Sequence, residues 1–318
     1  MRYSILFISV MLLFCQKALA DVDSTYIQRF PQQLSAQTYV AKNFIFLHHD
    51  NEDLGISREY MPNNPVSLGL GVTWKNYSFS FGYGFDFMRD KKKGKTKSID
   101  FQYHYYGRKF IFDIFYQDYK GFYDEVSDEK YVLYPDLHLK QISVHAQYVF
   151  NHRKFSYRAA FNQSEIQRIS AGSFQAGGGI NYSYINSDST LIFENNPKRR
   201  ILQVGISGGY AYNWVFGKGF YLSGGITVGA NFGSDNIKHS FRKIEVSPTA
   251  FPRVSAGYNA RSWSLRFSFL GNMISFQDID KKEVNQLNGS FMMSYIHRFN
   301  SYPGVMKTVD KIMDKLPF

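Results

Sequence analysis

Cysteine is nearly absent from this chain, and the only one is Cys15. It falls inside an N-terminal stretch that reads as an export signal. Arg2 supplies the positive start, Ile5 to Phe14 the apolar centre, and Ala18-Leu19-Ala20 the small-residue cleavage site. We expect residues 1–20 to be removed, so that the mature chain starts at Asp21. Bulky Phe14 directly before Cys15 argues against a lipidated cysteine. The mature chain then has no disulfide, no thiolate nucleophile and no Cys-based metal site. Long apolar runs are missing too. After residue 20 no segment has the roughly 18 apolar residues of a transmembrane helix. Linker-like shifts of composition are also lacking, which favours one domain over two.

Aromatic residues, by contrast, are abundant at 18%, while mean hydropathy is slightly polar. Tyr77-Ser-Phe-Ser-Phe-Gly-Tyr-Gly-Phe-Asp-Phe87 shows how both hold at once. Every odd position is aromatic and every even one is small or acidic. A strand sends alternate side chains to opposite faces, so one face is an aromatic stripe. The pattern recurs along most of the chain, with no helices to cover the stripes. Lipid is the cover that remains, and a barrel needs apolar residues on only half of each strand. The expected fold is all-β: a transmembrane antiparallel up-and-down β-barrel over residues 21–299, exported to the cell outer membrane.

Turns count the strands. Twelve alternating runs stand out, Phe155 to Asn162 among them. Tight turns are expected at Asn76, Gly107-Arg108, Asn151 to Lys154, Gly217-Lys218-Gly219 and Ala260-Arg261-Ser262. Barrels of this kind keep short turns on the periplasmic side. An even number of crossings must then separate consecutive tight turns. That rule calls for two further strands, Leu34 to His48 and Ser189 to Glu194, giving 14 with both termini periplasmic. Twelve is the alternative count. Outer loops fall at roughly 49–65, 88–97, 120–138, 163–171, 195–200, 233–247 and 276–283. Residues 300–318 read as a periplasmic tail with a short amphipathic helix, Val305, Val309, Ile312, Met313 and Leu316 sharing a face.

The alternation also sorts the faces. Phe101, Tyr103, Ile114, Phe267 and Phe291 are expected to meet lipid, with Trp74, Trp214 and Trp263 in interfacial girdles. Lumen-lining polar candidates are Asp86, Asp100, His104, Asp113, His145, Arg158, Arg266 and Arg298. Their mixed signs suggest internal ion pairs more than a charge-selective pore.

Net charge is +11, or +9 once Arg2 and Lys17 leave with the signal. In an exported barrel the acidic partners are membrane lipids and lipopolysaccharide, not nucleic acid. The loop from Arg89 to Lys97 concentrates this charge, with Arg89, Lys91, Lys92, Lys93, Lys95 and Lys97 against Asp90. It is the candidate lipopolysaccharide or anion site, its bland alternative being a solvated loop tip. The barrel-insertion machinery is the other expected partner. His48-His49-Asp50 suggests zinc only weakly, because adjacent strand residues face opposite ways, and no metal or cofactor is expected. Gly177-Gly178-Gly179 is no phosphate loop, since no helix follows it, and it reads as relief of crowding in the wall.

Several segments resemble a known family: Pro62-Asn-Asn-Pro65, the run Phe79 to Ser98, Phe101-Gln-Tyr-His-Tyr-Tyr106, Tyr157-Arg-Ala-Ala-Phe-Asn-Gln-Ser164 and Gly209-Tyr-Ala-Tyr-Asn-Trp214. Together they are similar to domain of unknown function 4421, a family of outer-membrane barrels. The resemblance implies location and fold and brings no catalytic residues. The expected function is therefore a non-enzymatic barrel for small-solute passage, lipopolysaccharide contact or envelope structure. One alternative is a lipid-modifying barrel enzyme, with His138 or His239 as general base near the outer rim. Another is a surface adhesin or receptor using the long loops.

Overall fold

The computed structural model describes residues 22–32, 34–51, 56–74, 77–188, 198–234, 245–277, 283–300 and 304. The expected signal peptide, the strand at Ser189 to Glu194, the turn residue Asn76, His239 and the helical tail lie outside the described residues.

Among the described residues, fifteen strands and one α-helix follow in order. They are β1 (Ile27–Arg29), β2 (Leu34–Asn51), β3 (Ile56–Tyr60), β4 (Ser67–Trp74), β5 (Tyr77–Gly84), β6 (Lys97–Tyr106), β7 (Phe110–Ser127), β8 (Lys130–Val149), α1 (Tyr157–Phe161), β9 (Glu165–Gln167), β10 (Ala171–Asn186), β11 (Lys198–Phe216), β12 (Phe220–Ser234), β13 (Glu245–Asn259), β14 (Trp263–Gln277) and β15 (Glu283–Phe299). Twelve of them form the wall, in the order β5-β4-β2-β15-β14-β13-β12-β11-β10-β8-β7-β6, every neighbouring pair antiparallel. The first and last long strands meet, with Leu34 opposite Phe299, so the sheet curls into a nearly closed barrel. Leu34, Phe299 and the short turns share one end, here the turn end. Most of the longer connections occupy the other, the loop end, where β7 and β8 also run on as a hairpin to Ser127 and Lys130.

Alternation decides the faces. On β11, Val204 and Ile206 are exposed on the outside while Gln203, Ala211 and Asn213 are buried within. Phe81 on β5 is 74% exposed, as an aromatic meant for lipid would be. Near the turn end, Tyr212–Trp214, Phe220–Tyr258, Tyr258–Trp263 and Trp263–Tyr295 form ring contacts of 4.8–6.2 Å, an aromatic girdle. Strand length exceeds the membrane. The 20 residues of β8 span about 65 Å, or roughly 50 Å at a usual barrel tilt, against an apolar band of about 25 Å.

The strand count is twelve, not 14, because the segment Phe155 to Asn162 is not wall. It holds α1, and β9 after it pairs with β1. The apolar alternation there arises because this insertion is buried on all sides inside the barrel. Residues 163–171 are consequently at the turn end and not an outer loop. Asn186 pairs directly with Lys198, so β10 and β11 are neighbours in the wall. Residues 120–138 are no loop either. They extend the β7–β8 hairpin, Ser127 opposite Lys130, beyond a bulge between Lys120 and Phe122.

Side chains pack across the lumen at both of its ends. At the loop end, Ile45, Leu47, Tyr60, Phe122, Leu137, Leu139, Ile185, Ile201 and Val284 form an apolar cluster. At the turn end, Phe155, Tyr157 and Phe161 pack on Tyr106, Ile111, Val149 and Ala211. Each large apolar side chain buried this way contributes about 1.5–3 kcal/mol. Between the two clusters lies a polar layer.

Candidate functional site

The turn-end plug is held by charge. Ser156 caps α1, its Oγ accepting from the Ala159 amide at 3.1 Å and donating to Glu165 at 2.6 Å. Buried Glu165 also meets Arg108 in a short hydrogen bond, Arg158 at 3.4 Å and Arg29 at 3.7 Å. Burial lowers the Arg108 guanidinium to about 10, against the pull of Glu165, so it stays charged at neutral pH. The wall grips the plug from the other side. Arg266 donates to the Phe161 carbonyl and to Gln163 Oε1 (2.9 Å). Arg298 donates to the Gln163 carbonyl at 2.8 Å, and Asn213 to the Ser156 carbonyl at 3.0 Å.

The polar layer above it consists of paired groups. Asp113 accepts from Arg253 in a short bond and lies 2.6 Å from His104 Nδ1. Asp100 accepts from Tyr119 Oη at 2.7 Å, Gln102 at 3.1 Å and Gln117 at 3.3 Å. His145 packs edge-on to Phe251 at 4.6 Å.

Of the sequence-derived lumen candidates, Asp100, His104, Asp113, His145, Arg266 and Arg298 point inward from wall strands. Arg158 is inside the lumen too, but on α1 and not on the wall. Asp86 differs in position: the chain leaves β5 at Gly84 and turns, so Asp86 lies in the following loop, 70% exposed, 3.2 Å from Arg89 and at the edge of the cavity between β5 and β6. Glu165, Ser156, Gln163, Arg253 and Tyr119 were not singled out from sequence. The Ser156 cap three residues before Ala159 was a local signal for a helix there. Nothing local marked Glu165, whose partners come from three separate segments.

One stretch of wall differs from the rest. β4 and β5 have 8 residues each and β6 has 10, against 15–20 elsewhere. Above them β3 bridges the gap, pairing with β2 on one side and, through Met61–Tyr123, approaching β7 on the other. Below that strap β5 and β6 are consecutive in sequence yet share no hydrogen-bonded register. Phe79 and Tyr103 touch across this seam at 6.1 Å. A cavity of about 600 Å³ opens there, lined by lumenal Ser80, Gly82, Asp100, Gln102 and His104 and by outward Phe81, Tyr83, Ile99 and Phe101. The small residues opposite the aromatic stripe create this space. Part of it is taken by the Tyr39 ring: a Cβ at Gly69 would sit 2.0 Å from Tyr39 Cζ, and one at Gly82 2.9 Å from its Oη.

The basic loop crowns the seam, because it joins β5 to β6. Asn63 clamps it, donating to the carbonyls of Asp90 (2.7 Å) and Gly94 (2.6 Å), while Thr96 donates to Gly121 O at 2.6 Å. Lys92 pairs with Glu129 at 2.9 Å, and Lys93 sits 5.0 Å and 5.1 Å from the Tyr131 and Tyr123 ring centres. Lys91, Lys95 and Lys97 are exposed and have no carboxylate partner among the described residues. His138, at the loop-end rim, lies 2.7 Å from Asp118, which Lys140 also approaches at 3.0 Å.

Among solved structures, the outer membrane protease OmpT from Escherichia coli is 9% identical, with a TM-score of 0.34, covering 85% of this chain and 97% of that one. OmpT of Vibrio cholerae is 11% identical (TM-score 0.28; 84% and 98% covered). A Pseudomonas aeruginosa FadL homologue is 7% identical (TM-score 0.24; 84% and 91% covered). No curated protein matches. The barrel assignment rests on the register above and not on these likenesses. Residues 21–299, which span the whole barrel and its plug, match the family described as Domain of unknown function (DUF4421), and the chain belongs to that family.

Proposed function

We propose that this chain is an outer-membrane barrel that works by contact with anionic lipid head groups at the cell surface, and neither as a passive pore nor as an enzyme. The observation that carries this reading is the basic loop. Asn63 and Thr96 fix its backbone, and three lysines are left without carboxylates among the described residues. A held cluster of like charge concentrates anions without first having to be ordered. Lipopolysaccharide supplies phosphates at the height where this loop stands. The side-chain clusters packed across both ends of the lumen support contact over solute passage.

The enzymatic alternative draws on His104 and Asp113, a hydrogen-bonded pair beside the seam cavity. Arg253 also holds Asp113, which fits an internal ion-pair network better than a free general base. His138 is bonded to Asp118 at the rim.

The test is binding of the refolded full chain to phosphatidylcholine vesicles with and without lipopolysaccharide. Lys91→Glu with Lys95→Glu should weaken the lipopolysaccharide-dependent part about tenfold and leave the rest unchanged. Equal binding by parent and variant would overturn the proposal.

A further inference from the structure

The wall between β5 and β6 is a second unusual feature, independent of the loop's charge. Elsewhere consecutive barrel strands pair along their length, as β11 and β12 do over Leu202 to Phe216. An unpaired seam within a membrane leaves backbone N–H and C=O groups facing hydrocarbon, at a cost of several kcal/mol each. Such a gap is stable when something polar covers it. Three surroundings specify what. Inside the gap, Ser80, Asp100, Gln102 and His104 present hydrogen-bonding groups to a cavity of about 600 Å³, room for one head group. Outside it, Phe81, Tyr83, Ile99 and Phe101 are exposed and flank the opening on both strands, so an acyl chain would find apolar contact there. Above it, Lys95 and Lys97 line the same cavity.

We infer that the β5–β6 seam is a lateral binding site for a membrane amphiphile with an anionic, hydroxyl-rich head group. The head enters the Ser/Gly-lined cavity, the anion meets Lys95 and Lys97, and the chain lies along Phe81 and Phe101. The seam's polar backbone groups then bond to the head group instead of facing hydrocarbon. This inference deepens the anionic-lipid reading and depends on it for the sign of the charge only. The Tyr39 ring, lying over Gly69 and Gly82, lines the cavity along β4 and β5, and the cavity continues inward to Phe161, Arg266 and Met292.

The experiment uses the full chain in phosphatidylcholine nanodiscs doped with phosphatidylglycerol carrying a photoreactive acyl chain. Adducts are mapped by mass spectrometry. The expected result is labelling concentrated on Phe79–Tyr83 and Ile99–Phe101, reduced at least fivefold by Ser80→Trp or Ser98→Trp, which fill the cavity and leave every lysine in place. A photoreactive phosphatidylcholine probe should label the seam several-fold less. Excess soluble glycerol phosphate tells the sources apart: competition means that the head group alone is recognised, and no competition means that the membrane-borne lipid is required. Either outcome upholds the site. Labelling spread evenly around the barrel, or unchanged in both cavity-filling variants with native-like heat stability, would overturn it. Equal seam labelling by the two lipids, still lost on filling the cavity, would remove the anionic requirement and so overturn the inference as stated. The lipopolysaccharide binding of Lys91→Glu alone, a lysine outside the seam cavity, reports on the loop reading, so the two can fail apart.

Discussion

Replacing Glu165 should loosen the plug without dissolving the barrel. Its side chain is 2% exposed, and those of Arg158 and Arg108 are 8% and 10%. Glu165→Ala removes the one anion that three guanidiniums share among the described residues, and it takes away the acceptor of the Ser156 hydroxyl. Deleting one partner of a buried ion pair costs about 3–5 kcal/mol, mostly from the charge left behind. Arg29 is 69% exposed, so its own share is screened, and Arg29→Ala should cost no more than about 0.5 kcal/mol. Glu165→Gln keeps an acceptor for Ser156 but not the charge, and should fall between the two. Several kcal/mol exceeds what a five-residue helix gains from its own hydrogen bonds, so the plug should open locally while the wall stays closed. The assay is amide hydrogen exchange of the refolded protein in lipid. Protection should fall by at least a hundredfold across Tyr157–Gln167 in Glu165→Ala and remain unchanged in β11 and β12. Uniform loss of protection would mean that plug and wall form one cooperative unit. Unchanged protection would refute the argument that Glu165 holds the plug.

Four further outcomes concern the wall and the lumen. Gly179 faces the His145 ring, where a Cβ would fall 2.2 Å from Nδ1, so Gly179→Val should destabilise the barrel by about 1–3 kcal/mol in urea unfolding, and His145→Ala should recover part of that loss. Ile180, the next residue, faces outward, and Ile180→Arg should cost about 2–4 kcal/mol in lipid. Arg253→Met leaves Asp113 with His104 alone and should cost about 3–5 kcal/mol, with Asp113→Asn in the same chain recovering most of it. In planar bilayers the refolded parent should show no stepwise conductance, and steady ohmic steps would contradict side chains packed across both ends of the lumen.

The wall was legible in the sequence because lipid and lumen demand opposite chemistries at alternate residues. That is why Phe101, Tyr103 and Phe267 could be assigned outward and Asp100, His104 and Arg266 inward. The plug was not legible for the same reason. Tyr157-Arg-Ala-Ala-Phe161 alternates like a wall strand, yet it is buried on every side, and alternation cannot tell lipid from protein as the apolar neighbour. The turn-side rule then forced extra crossings to repair the count. Applied to the observed strands, with 150–170 as one inward-folded connection, the rule holds and gives twelve. The seam was half visible. Ser80, Gly82 and Gly84 announced a lining of small residues on β5, but not that β5 and β6 would fail to pair. That depends on the shortness of β4, β5 and β6 and on the strap that β3 throws from β2 towards β7. Asp86 illustrates the limit of a pattern carried past the end of its strand.

The measurement that bears most directly on the account is tryptophan quenching by lipids brominated in the acyl chain. Trp74, Trp214 and Trp263 would first be replaced by Phe, and single tryptophans placed along β11 at Gln203, Val204, Ile206 and Asn213. The account predicts strong quenching at 204 and 206 and little at 203 and 213, the buried positions. Equal quenching at all four, or none at 204 and 206 in membrane-bound protein, would contradict a barrel whose apolar face meets lipid.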